Sequence, residues 1–264
     1  MKKTYLLIVL GAFLVSCSSD DDSTNGNNNP DQSYFPSEQG KYWVYDVNSN
    51  VMNGRDSLFV TNDTLINSTT YKKLKTKEEF PFGFFSNSLR NNAIRQSDGK
   101  TYLSGAVGFN ISEDLPLSLP INDFVIFDEN ATENQQLGSI NGTLQQEVQG
   151  YNLGLTYTLS AKAKAPISSF TSGPQTYTNV KPVEITLNLG INVTTEIAGF
   201  PITFPLMSQQ NVVVSTQYYA QGIGVVKTST NLSYQLSEIP VVQLPIPTTG
   251  SEQQDEVLVK YSTE

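Results

Sequence analysis

The chain has no histidine, one cysteine and one tryptophan among its 264 residues. Without histidine and with a single thiol, the usual zinc sites and the Ser-His-Asp and Cys-His arrangements of nucleophilic catalysis cannot be assembled. Paired carboxylates for glycoside hydrolysis remain open by composition, since Asp and Glu total 25, but spacing singles out no pair. Phosphate-cradling loops are missing too: Gly222-Ile223-Gly224 lacks the third glycine and the following helix, and reads as turn chemistry. No enzyme, cofactor or metal site is therefore expected. Cations are scarce, with 16 Lys and Arg and a formal charge of -9. An acidic surface repels phosphates, which argues against nucleic acid as a partner.

Long apolar runs are absent except at the start, where Lys2 and Lys3 precede Tyr5 to Val15. That run is too short to span a bilayer as a permanent helix. Its charged n-region and apolar h-region predict a secretory signal over residues 1–16. The lone cysteine stands where the run ends, and an unpaired thiol is a liability in an oxidising compartment. Leu14-Val15-Ser16-Cys17 resembles the lipobox of bacterial lipoproteins. That resemblance implies diacylglycerol on the Cys17 sulfur, cleavage just before it, and a new amino terminus acylated by a chain such as palmitate. The alternative is an ordinary cleaved signal with a stray thiol. Cleavage would also remove Lys2 and Lys3, leaving the mature chain two charges more negative.

Residues 17–33 read as a lipidated tether. Ser18 to Ser33 contains no aliphatic or aromatic residue, so it cannot offset its ordering entropy by burial. Ser18, Ser19, Asp20, Asp21 and Asp22 resemble the export signal that Bacteroidota place behind the lipidated cysteine to send lipoproteins to the outer face of the outer membrane. Solvated spacer charge is the plainer reading of the same aspartates. The expected location is the outer membrane, with a lipid anchor and the domain facing the cell surface. Three Asp-(Ser/Thr)-x sequences, at Ser23, Ser57 and Thr64, resemble acceptors of Bacteroidota O-glycosylation, a motif short enough to recur by chance.

Residues 34–264 read as one β-rich domain, because no second linker like 18–33 interrupts them. Strands are expected at Lys41–Val47, Asp56–Thr61, Thr70–Lys77, Ala93–Gln96, Lys100–Val107, Phe124–Asp128, Gly142–Gln149 and Gly154–Ala163. Further strands are expected at Val183–Thr195, Asn211–Tyr219, Gly224–Thr230 and Leu232–Ile239. Leu155 to Lys164 alternates apolar and polar residues without a break, the period of a sheet with one wet face. Glu78 to Leu89 could hold one short helix. The fold class is all-β: a curved antiparallel sheet or half-barrel, with a β-sandwich as the alternative.

Two apolar stretches, Leu115 to Pro120 and Phe200 to Leu206, are punctuated by proline. Proline lacks the ladder donor, so these are edge segments or loops. With Phe80 to Phe85 they either cap a groove for an apolar ligand or close the domain's own core. Trp43 reads as a core anchor before a ligand platform. Tyr34 to Tyr45, Tyr177 to Val183 and Tyr218 to Lys227 resemble segments of uncharacterised secreted or lipid-anchored bacterial proteins. The resemblance implies a half-barrel like that of periplasmic lipoprotein carriers, whose concave side holds acyl chains. Two functions follow as expectations: a surface binding module for an apolar ligand or polymer, or a non-catalytic subunit docking onto an outer-membrane protein.

Overall fold

A computed structural model describes residues 32–262, except 113, 114, 243 and 245. Thirteen antiparallel strands form one sheet: β1 (Tyr42–Ser49), β2 (Asn53–Ile66), β3 (Thr69–Thr76), β4 (Ala93–Ser97), β5 (Lys100–Ser112), β6 (Leu115–Asp128), β7 (Gln136–Val148), β8 (Tyr151–Ala163), β9 (Ile167–Ser172), β10 (Gln175–Ile197), β11 (Phe200–Ala220), β12 (Gly224–Gln235) and β13 (Thr249–Tyr261). Their order is β6-β5-β4-β3-β2-β1-β13-β12-β11-β10-β8-β7, with β9 beside β10. Seven of the eleven neighbouring pairs on this path are hairpins with tight connections; β3 reaches β4 through residues 77–92, β8 reaches β10 through β9, and β13, after the loop 236–248, closes the middle by returning between β12 and β1.

The sheet curls until its two end strands meet without a ladder. A Cβ added at Gly138 on β7 would lie 3.1 Å from the Val125 carbonyl oxygen on β6. The result is a nearly closed barrel-like sheet. Alternation dictates its inside: Trp43, Tyr45 and Val47 on β1, Leu58 and Val60 on β2, and Leu153, Leu155, Tyr157, Leu159 and Ala161 on β8 are all buried. Each fully buried leucine contributes about 2 kcal/mol relative to exposure.

The concave face is filled by the chain itself. Leu115, Leu117 and Leu119 of β6 are buried in the same cluster as Leu189, Ile191 and Val193 of β10. Pro116 and Pro120 on the same strand stay exposed, and β6 is an end strand. Pro201 and Pro205 also sit where β11 is paired on one side only, since its ladder to β12 begins at Val213. These four prolines thus sit at edges, as the missing donor requires, whereas Pro182 lies within β10 between its ladders to β9 and β8.

The one helix among the described residues, α1 (Phe84–Leu89), is shorter than the Glu78–Leu89 expected from the sequence. Pro81 and Gly83 interrupt that stretch, and the backbone of 82–86 is instead tied to the strands. Asp56 accepts the N–H groups of Phe82 at 2.9 Å and Gly83 at 2.7 Å. Glu256 accepts those of Phe85 at 2.6 Å and Ser86 at 3.2 Å, while Gln254 accepts that of Phe84 at 2.7 Å. Gly83 itself supplies no side-chain cap. A Cβ there would lie 2.1 Å from the Glu256 carboxylate, so only glycine fits.

Candidate functional site

The two ends of the barrel differ. At one end the chain joins the sheet: the Ser33 carbonyl accepts the Gly222 N–H at 2.9 Å, and Gln96 Nε2 donates to Ser33 Oγ and to the Phe35 carbonyl, both at 2.8 Å. Tyr34 lies 5.1 Å from the Phe127 ring, which lies 4.5 Å from Tyr219. Trp43 is buried here and donates from Nε1 to the Ile223 carbonyl at 2.6 Å, while the Tyr45 hydroxyl donates to Val225 O at 2.8 Å. Lys181 lies over the Tyr34 ring, and Val180, Lys181 and Pro182 pair with Ala220, Tyr219 and Tyr218. The segments 34–45, 177–183 and 218–227 therefore converge on one structural knot.

The opposite end carries an open cavity. Beyond the last β12 rung, the chain leaves the sheet at Leu236 and rejoins it at Thr249, and the intervening loop lies along the unpaired edge of β11. Four bonds fix it there: Leu236 N–H to Thr248 O, Ser237 N–H to Leu206 O, both 2.7 Å, and a two-way clamp of the Gln210 amide on the Gln235 backbone at 3.0 and 3.1 Å. Between loop and strand lies a cavity of about 340 Å³, lined by Leu206, Leu236, Ile239, Val242, Leu244 and Ile246. Leu206, Leu236 and Ile246 are buried; Ile239, Val242 and Leu244 are half-buried and pack on the core. A second cavity, about 540 Å³ and polar, shares Leu236, Ser237, Glu238 and Thr248 with the first and adds Ser208, Gln209, Gln210, Gln235 and Thr249.

The sequence expectation of a strand over Leu232–Ile239 misses this loop, because β12 ends at Gln235. Its signature is nonetheless written in Ile239-Pro240-Val241-Val242-Gln243-Leu244-Pro245-Ile246-Pro247. This is a third proline-punctuated apolar stretch of the kind that marks 115–120 and 200–206.

Of the residues singled out from the sequence, Cys17, Ser18, Ser19, Asp20, Asp21, Asp22 and Ser23 lie outside the described residues. Ser57 and Thr64 both sit on β2, half-buried. The Ser57 backbone is tied to the segment after β3: its N–H donates to Glu78 at 2.8 Å and its carbonyl accepts from Lys77 at 2.9 Å. Asp56 and Leu58 beside it are buried. Phe85 is buried in the core, 5.7 Å from Tyr45, whereas Phe80 and Phe82 are exposed. Ser57, Thr64, Phe80, Phe82 and Phe85 do not line the cavity.

No family model matches the chain, and no curated protein matches it. Among solved structures it is similar to a crystallised protein of Parabacteroides distasonis described as a candidate lipoprotein, with 12% identity and a TM-score of 0.37 over 88% of this chain and 99% of that one.

Proposed function

We propose that the chain is exported, lipidated at Cys17 and held on the outer membrane facing the cell surface, and that its β domain is a non-catalytic binding module for an apolar ligand. The observation that carries the binding reading is the 340 Å³ cavity lined by Leu206, Leu236, Ile239, Val242, Leu244 and Ile246. Its volume falls in the usual range for small-molecule sites. The concave face offers no such room, since Leu115, Leu117 and Leu119 fill it.

Position supports the anchoring half of the reading. Ser33, next to the tether, is held at the β11–β12 turn, whereas the cavity begins at Leu206. Leu206 and Ala220 lie on one strand, about 45 Å apart at the usual strand rise. A protein tethered at residue 33 would present the cavity at the end away from its attachment. Three acyl chains at Cys17 would hold it there essentially permanently, each buried methylene adding about 0.8 kcal/mol.

A second reading, docking onto an outer-membrane protein, is favoured by the exposed tip of the β10–β11 hairpin, where Phe200 is 70% exposed. Two measurements test the primary reading. Alkyne-palmitate should label the wild type and not Cys17→Ser. An apolar dye such as N-phenyl-1-naphthylamine should bind saturably, and Leu244→Trp should abolish that binding. Unsaturable dye uptake, or uptake indifferent to Leu244→Trp, would refute the cavity as the site and favour docking.

A further inference from the structure

We infer that the ligand of this cavity is an uncharged amphiphile, with an alkyl or acyl chain in the apolar chamber and a neutral, hydroxyl-rich headgroup of the polyol or sugar class in the polar one. The inference rests on the binding reading above and adds the chemistry of the head. The two chambers adjoin, with Leu236, Ser237, Glu238 and Thr248 lining both. A molecule occupying both must therefore change from apolar to polar along its length.

The lining decides which head fits. Among the described residues no Lys or Arg lines either chamber, and the one charged side chain there, Glu238, is exposed. A phosphate, sulfate or carboxylate head would find no cation and would face a carboxylate, so it loses the charge-assisted bonds that normally hold such groups. A cationic head gains only one solvent-screened partner. Glutamine, serine and threonine present donors and acceptors together, which matches hydroxyl groups that both give and take hydrogen bonds. The floor is firm: Gln210 is clamped on the Gln235 backbone, and Gln209 Nε2 donates to Thr156 Oγ1 at 3.1 Å. Fixed polar groups beside an apolar chamber are what orient an amphiphile in one direction.

The test uses the full chain bearing Cys17→Ser and titration calorimetry below the critical micelle concentration of each probe. Decyl maltoside should bind saturably. Decyl phosphate and decyltrimethylammonium should bind at least tenfold more weakly, and maltose at least a hundredfold. Ile239→Trp should weaken decyl maltoside at least tenfold, and Val242→Trp should do the same; thermal melting of each variant separates a filled chamber from a lost fold. Equal binding of either charged probe would overturn the neutral head and leave the apolar cavity standing. Maltose binding as tightly as decyl maltoside would replace the amphiphile by a bare glycan. Failure of every decyl probe, or indifference to both tryptophans, would overturn the cavity reading itself.

Discussion

Asp56 on β2 and Glu256 on β13 hold one stretch of backbone between them, Asp56 receiving the N–H groups of Phe82 and Gly83 and Glu256 those of Phe85 and Ser86. Both carboxylates are fully buried, and neither takes part in an ion pair among the described residues. Burial pushes both carboxyls up, Glu256 to about 7, against the opposing hydrogen bonds from Ser86 and Phe85; the Asp56 charge nearby adds to the rise. The geometry thus joins a structural gain, five satisfied polar groups counting the Ser86 hydroxyl at 2.7 Å, to an electrostatic cost.

That cost has a sign. Glu256 has an ordinary value of 4.5 and a folded value of about 7. Between these pH values the folded chain keeps a proton that the unfolded chain has released, so stability falls as pH rises through the window and is flat above it. The full difference is about 3 kcal/mol. Denaturant titrations at pH 5, 6, 7 and 8 should show the wild type losing stability relative to Glu256→Gln across this range. Parallel profiles for the two proteins would rule the account out.

Core and surface leucines should separate sharply. Leu155 is buried on the inward face of β8, whereas Leu65, beside the β2–β3 turn, is 72% exposed. Leu155→Ala removes buried methyl groups and leaves a cavity, at a cost of about 2–5 kcal/mol. Leu65→Ala should stay within about 0.5 kcal/mol of the wild type. Urea midpoints with unchanged slopes would confirm both; a large loss for Leu65→Ala would mean that the exposed hairpin has a partner.

Regular alternation made much of the sheet legible: Leu155 to Lys164 shows its burial directly in its letters. β13 was not legible, although it closes the sheet between β1 and β12. Its inward positions are Gln254, Glu256 and Leu258, two of them polar, because they serve the backbone of 82–86 and not an apolar core. Pattern reading fails where a strand turns polar groups inward. The cavity was hidden for a related reason. Its apolar side chains come from an irregular loop laid on a strand edge, and neither the period of 2 nor that of 3.6 describes such a segment.

Edge prolines should guard the open sheet. β6 pairs with β5 alone, and the ladder runs past Pro116 and Pro120, so each withholds a donor that the free edge would otherwise offer. Replacing both by threonine restores two donors on a β-prone strand. Sedimentation velocity should then show concentration-dependent association, absent from the parent chain. A double variant that sediments like the parent would assign the prolines a purely local role.

The knot around Trp43 depends on one glycine. Gly224 has φ +109°, a conformation L side chains rarely adopt, and a Cβ there would lie 2.8 Å from Trp43 Nε1. Trp43 cannot withdraw, since its Nε1 donates to Ile223 O at 2.6 Å and its ring lies 5.2 Å from Phe35. Gly224→Ala therefore meets backbone strain and a steric clash together, and should cost about 2 kcal/mol or more. Trp43→Phe keeps most of the packing and removes the donor to the half-buried Ile223 carbonyl, at about 1 kcal/mol beyond the lost ring volume. Because the same contact is at stake, Gly224→Ala in the Trp43→Phe background should cost less than in the wild type. A double-mutant cycle by denaturant unfolding measures this directly. Strict additivity would show that strain at residue 224, and not its contact with the indole, makes the glycine necessary.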